Sequence, residues 1–207
     1  MDDARRVREF WFGKPPLSRD ALDERMKVWF AGASTAPLVQ ELDAAIRTEF
    51  GARVEAALKG ELASWADGPR RRLSLIILLD QFPRHLYRGR ARAFAGDEQA
   101  LALALSGMQS GADAALDPVE RIFFYMPLQH SESPEVQEES VAAYRRLLGE
   151  APQLLREPFE ATLKYAQVHA SIIRRFGRFP HRNHALRRAS TLDEAPYLRD
   201  ADNFGPS

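Results

Sequence analysis

Three short stretches of this chain gather residues able to bind anions and move protons. Residues 78–85 read Leu-Leu-Asp-Gln-Phe-Pro-Arg-His, and residues 175–182 read Arg-Phe-Gly-Arg-Phe-Pro-His-Arg. In each, two basic groups follow Phe-Pro at once. A third stretch, Tyr125-Met126-Pro127, is followed by Gln129-His130-Ser131-Glu132. Proline ends helices at defined points. Polar residues placed just past buried helices are therefore expected to converge on one pocket.

Asp80 follows Leu75-Ile76-Ile77-Leu78-Leu79, so water should reach it poorly. The Phe82-Pro83 corner would also put it near a helix C-terminus, where the dipole disfavours negative charge. An unpaired buried carboxylate is costly or becomes protonated, so Asp80 needs a partner: Arg84, His85 or an arginine of the second stretch. A buried ion pair that locks the turn and a functional carboxylate are both consistent with that demand. His130 cannot form a triad with Ser131 and Glu132, because adjacent side chains diverge. It can act with a distant Asp80 or His181. These three are the catalytic candidates.

Arg174 to Arg188 holds six arginines and two histidines and no acidic residue. Such a cluster suits a carboxylate or phosphate group. Arg178, His181, Arg182 and Asn183 flank a glycine and a proline, so a turn should fix their direction. The competing reading is internal pairing with Glu132, Glu135, Glu138 and Glu139, and it suits Arg174, Arg187 and Arg188 best. His169 lies on the apolar stripe of its helix, a position usual for a hydrogen-bonded core histidine, yet one or two turns from the second corner. The ligand-binding candidates are thus Arg84, Glu132, His169, Arg178, Arg182 and Asn183. No His-Glu-x-x-His stretch is present, and the His181-x-x-His184 spacing alone is a weak chelate, so no metal site is expected. No glycine-rich phosphate loop occurs, and the sequence names no cofactor.

The elements that must position these residues are helices. Ser18 is placed to cap a helix carrying Leu22, Met26, Trp29 and Phe30 on one face, and Thr35 to cap one with Pro37 in its first turn. The stripe Leu38, Leu42, Ala45, Ile46 should end near Phe50-Gly51, with a separate short helix through Val54, Ala57 and Leu58 stopped by Gly60. Leu73–Leu79 is apolar on nearly every face, which predicts a central helix. Phe94-Ala95-Gly96-Asp97 opens a helix ending at Gly107 or Gly111. Asp117-Pro118 and Ser133-Pro134 are N-cap plus first-turn proline signals, Pro158 starts a long helix, and Thr191–Glu194 is a capping box. The result is about ten helices on short turns. No strand run, linker or domain boundary interrupts residues 1–199, and 200–207 read as a polar tail. Trp11, Trp29 and Trp65 are expected in the core.

The 207 residues are 45% hydrophobic and 28% charged, with 29 basic and 29 acidic side chains. That balance favours no polyanionic partner. Absence of cysteine removes disulfides, thiolate metal sites and cysteine nucleophiles. No apolar run approaches membrane-spanning length, and the first residues lack a signal-peptide core, so a soluble, cytoplasmic protein with no membrane partner is expected.

The chain resembles a bacterial family catalogued as domain of unknown function 924. The matching stretches are VREFWFG from Val7 to Gly13, Trp29-Phe30, Trp65, LSLIILLDQFPRHLYR from Leu73 to Arg88 and Ala93-Phe94 with Asp97. ERIFFYMPLQHSE from Glu120 to Glu132, Gln137, His169, RFGRFPHRN from Arg175 to Asn183, Thr191 and Glu194 complete them. The resemblance implies an all-α fold of antiparallel helices stacked as a tetratricopeptide-like right-handed superhelix, although no fixed-period repeat is visible. It implies no reaction. Relatives carry asparagine where His85 stands and a small or apolar residue where His184 stands, which lowers both histidines as candidates and, with His184, the His181/His184 chelate.

Three functions fit these readings. A polar pocket at the three corners would bind a small anionic ligand, with Asp80 and His130 orienting groups or transferring protons. A concave helical face would serve as a protein-interaction scaffold, a reading by fold analogy. RNA binding through Arg70-Arg71-Arg72 and Arg174–Arg188 ranks last, because the net charge of the chain is zero.

Overall fold

The computed structural model describes residues 2–13, 19–29, 36–153 and 156–200. Ten α-helical segments occur among them, and no strand. The all-α reading therefore holds. The proposed caps Ser18 and Thr35, together with Phe30 and the tail beyond Asp200, lie outside the described residues.

The first helix, α1 (Asp3–Phe12), is capped by the Asp2 side chain, which accepts from the Ala4 N–H. It buries Ala4, Val7 and Trp11 at helical spacing. Next come α2 (Arg19–Trp29) and α3 (Ala36–Leu58). The expected break at Gly51 does not occur, and α3 is continuous. Glycine inside a helix costs only about 1 kcal/mol. Ile46, Phe50, Val54 and Ala57 form one unbroken buried stripe across that point, and this burial outweighs the cost. The stop comes at Gly60, in the left-handed region at φ 79°.

The central helix behaves differently from the expected corner. α4 (Pro69–Ile76) runs into a π-helical turn (Ile77–Gln81) and on into α5 (Phe82–Leu86). Phe82-Pro83 therefore does not end the helix, and Asp80 sits inside a helical run rather than at a C-terminus. In a regular helix Pro83 would leave the Leu79 carbonyl without a donor and clash with it. The wider turn absorbs the proline: the Phe82 N–H reaches back five residues to the Ile77 carbonyl. Every side chain from Leu73 to Phe82 is buried.

After a short 3-10 turn, α6 (Asp97–Gln109) passes through Gly107 and stops before Gly111, at φ 71°. α7 (Pro118–Gln129) starts on the Asp117/Glu120 capping box and contains Pro127. The Tyr125-Met126-Pro127 stretch is thus also helical, and the turn follows at His130. α8 (Pro134–Glu150) is capped by Ser133, and α9 (Arg156–Phe176) carries Pro158 in its first turn. Only the second Phe-Pro pair lies beyond a helix end: α9 closes at Gly177, with φ 70°, and Pro180–Arg182 form a 3-10 turn. The Thr191/Glu194 capping box opens α10 (Glu194–Asp200) as expected, with Glu194 Oε2 2.7 Å from the Thr191 N–H.

The core joins α1, α3, the central helix, α6, α7, α8 and α9. Trp11 meets Phe82, Phe123 and Trp29 edge-on or stacked. Trp29 and Trp65 also pack on the core, as expected. No helix among the described residues is long and apolar enough to cross a membrane.

The site's first fixed point is a close approach. A Cβ at Gly96 would stand 2.3 Å from the Leu79 carbonyl oxygen, four residues before Pro83. Replacing Gly96 by alanine is expected to destabilise the protein by about 1–3 kcal/mol through overpacking against rigid backbone. Urea denaturation of G96A checks this.

Candidate functional site

Five elements bring six of the nine candidate residues and several unforeseen ones to one region. Asp80 is wholly buried on the π turn. Its Oδ1 lies 2.6 Å from His130 Nδ1 and 3.2 Å from Arg84 Nη1, and its Oδ2 accepts from Gln81 Nε2 at 2.5 Å. Arg84 Nη1 also donates to the Asp80 backbone carbonyl at 2.5 Å. Burial pushes the Asp80 carboxyl up, but Arg84, His130 and Gln81 together overcome it and hold the carboxyl far below its usual range. An ionised carboxylate only accepts, so His130 Nδ1 carries the proton.

Arg84 is fixed from a second side. Asp97, the first residue of α6, receives its guanidinium at 2.9 and 3.0 Å, one contact on each carboxylate oxygen. Asp97 also receives Arg182 Nη1 at 3.2 Å. The Arg182 guanidinium is sandwiched between the rings of Phe94 and Phe179, 4.7 and 4.6 Å from their centroids. Arg182 Nε is buried with no hydrogen-bond partner. Burial first, and then the Arg84 charge, lower the Arg182 pKa to about 10. Two cations and two carboxylates therefore form a formally neutral group in which one guanidinium is poorly compensated.

Three imidazoles border this group. The rings of His130 and His169 are 6.4 Å apart, and Phe179 lies 5.4 Å from both His169 and His181. His169 Nδ1 is 2.8 Å from the Tyr165 carbonyl oxygen, which fixes the proton on that nitrogen. Burial is the first cause that lowers His169 to about 4 and His181 to about 3. His130 is lowered by burial and by Arg84, against the pull of Asp80. All three are neutral near pH 7. His130 keeps 15% of its side chain accessible.

The remaining candidates lie around the second corner and engage each other's neighbours. Arg178 donates to both oxygens of Glu194, at 2.6 and 2.9 Å, and Asn183 Nδ2 reaches Glu194 Oε2 at 3.1 Å. The Arg178 hydrogen bonds, with smaller help from Thr191, hold Glu194 down to about 2. Glu132 accepts from the Phe179 N–H at 2.8 Å and pairs with Arg188. Arg188 also donates to the Phe179 carbonyl at 3.0 Å, beside Arg187 at φ 54°. Arg174 pairs with Glu138. The internal-pairing reading thus describes Arg174 and Arg188 well. Together these contacts brace the turn that carries His181 and Arg182.

Asp97, Phe94, Gln81, Phe179 and Glu194 were not singled out as site residues by sequence reasoning. Asp97 and Glu194 each begin a helix, where an acidic residue is already explained by the dipole or a capping box. Their second role is a long-range contact, invisible to local pattern. No group of three or more metal-ligating side chains occurs among the described residues.

The neutral histidines carry a pH signature. Their folded pKa values lie below the unfolded value of about 6.5, so the unfolded chain binds more protons in the acid range. Stability is expected to be fully present above about pH 6.5 and to fall progressively toward about pH 4. A shallower dependence of Tm on pH in H169Q over that window checks the assignment.

Set beside known proteins, the chain finds no match among curated ones. Its structure is similar to the "Structure of Protein of Unknown Function ATU0120 from Agrobacterium tumefaciens". The TM-score is 0.77 and the sequence identity 31%, over 96% of this chain and 97% of that one. Residues 7–202 match the model of a family described as bacterial protein of unknown function, DUF924. The chain belongs to the DUF924 family.

Proposed function

We propose that the Asp80–His130 pair is the proton-transfer centre of a site for a small anionic molecule. The observation that carries this reading is a buried, ionised carboxylate bonded to the Nδ1 of a histidine that still reaches solvent. With its Nδ1 proton held by Asp80, His130 has Nε2 as a lone-pair base for a water or hydroxyl group. Asp80 sets the tautomer and would stabilise the imidazolium formed on proton uptake.

Arg182 supports the anionic character of the ligand. Its charge is opposed by Arg84 and its Nε lacks an acceptor, so an approaching carboxylate or phosphate oxygen would relieve both. The flanking rings of Phe94 and Phe179 hold the guanidinium in place. His169 and His181, being neutral, would add polar contact without competing for the anion's charge. Arg84 is then a positioning residue tied to both carboxylates. Arg178, Asn183 and Glu132 act one step further out, by fixing the turn.

The two halves of the pair should respond differently to substitution. D80N leaves Arg84 buried against a neutral amide and is expected to cost about 3–5 kcal/mol. H130Q, at a partly accessible position, is expected to cost no more than about 1–2 kcal/mol and to keep the fold. Native mass spectrometry of protein purified from cells provides the functional arm. A small anionic molecule held by the wild type and released by R182Q and H130Q would support the site. Equal retention by both folded variants, or no bound molecule under any growth condition, would sink it.

A further inference from the structure

A cavity lies at the end of α5, and none of its lining residues belongs to the Asp80 group. Its volume is about 380 Å³, and Asp43, Arg47, His85, Tyr87, Arg88 and Arg90 line it. That size accommodates a small metabolite. We propose that this cavity binds a phosphate-bearing small molecule.

Charge is the first argument. Three guanidinium groups face one carboxylate, so the lining carries two net positive charges. Asp43 is already engaged: its Oδ1 is 2.7 Å from His85 Nδ1, and Arg88 Nη2 donates to both its oxygens at 3.1 Å. Burial raises the Asp43 carboxyl, but the hydrogen bonds of His85 and Arg88 outweigh it and keep the group below its usual range. Arg88 Nη1 is nevertheless buried with no hydrogen-bond partner. Arg47 donates to the Leu86 carbonyl and makes no ion pair among the described residues. The nearby Glu55 does not line the cavity and pairs with Tyr87 and Arg92 instead. A phosphate monoester carries about −1.5 to −2 at neutral pH and three acceptor oxygens. It matches both the charge and the unused donors better than a carboxylate does.

Construction is the second argument. Gly89 takes φ 72°, and the Arg90 N–H closes a turn on the Tyr87 carbonyl at 3.0 Å. That turn sets Arg88 and Arg90 on one rim. The Arg47–Leu86 hydrogen bond ties α3 to the end of α5, so Arg47 completes the rim from a separate helix. His85 is packed against Trp11, 5.7 Å between rings, and anchored by Asp43. Its Nε2 is then the nitrogen available to a bound group.

Isothermal titration calorimetry of the full chain tests this with phenyl phosphate, inorganic phosphate, benzoate and phenol. Phenyl phosphate is expected to bind, benzoate more weakly and phenol not at all. Arg90 is exposed, so R90Q should keep the wild-type Tm yet weaken phenyl phosphate by about tenfold or more, the loss of one charge-assisted contact. Inorganic phosphate binding as tightly as the ester would identify free phosphate as the occupant, and weaker binding an esterified one. Absence of binding at millimolar phenyl phosphate, equal affinity for benzoate, or an unchanged affinity in R90Q would overturn the proposal. None of these outcomes touches Asp80 or His130, so the two sites are tested separately.

Discussion

A carboxylate sealed from water must be held by donors on every side, and much of this fold is arranged around that requirement at Asp80. The donors come from different elements: Gln81 from the same π turn, Arg84 from the next turn and His130 from the end of α7. Arg84 then calls for Asp97 at the start of α6, and Asp97 in turn receives Arg182 from beyond α9. Each charge is placed by the one before it. Removing a single member would strand its neighbour in a low-dielectric interior, which is why such groups are far more sensitive to truncation than their net contribution suggests.

Local sequence signals found the helices with good fidelity where proline and capping residues coincide. Asp117-Pro118, Ser133-Pro134 and Thr191–Glu194 all open helices as read. The signals misled where a breaker was overruled by burial. Gly51 lies in a continuous stripe from Ile46 to Ala57, and Pro83 and Pro127 are themselves buried in helical runs packed into the core. A breaker states the cost of continuing a helix. It does not state what the rest of the protein gains from continuity.

The candidate site was partly legible for the same reason. A charge placed after five apolar residues announces burial, and burial announces a partner. Arg84 was among the partners expected for Asp80, and His130 was read as able to act with a distant Asp80 or His181. Asp97 and Glu194 were hidden because each satisfies a local rule completely, so no residue-level anomaly marks its long-range role. Phe94 and Phe179 were hidden because an aromatic residue on a helical stretch has core packing as its default. The arginines of the second corner divided by geometry that spacing cannot supply: Arg178 turns to Glu194, Arg188 to Glu132, and Arg182 inward between two rings.

The π turn has a consequence for how this site is written in the chain. One residue more than a regular helix needs rotates everything after it by about 100° around the axis. That phase sets the register in which Arg84 reaches Asp97 and His85 reaches Asp43. Loss of any one residue between Ile77 and Gln81 would restore the ordinary pitch with hydrophobicity almost unchanged, and would swing both basic groups away from their carboxylates. At this point the molecule's chemistry is encoded by a count of residues, so the segment tolerates exchange of one apolar side chain for another better than it tolerates a change in length.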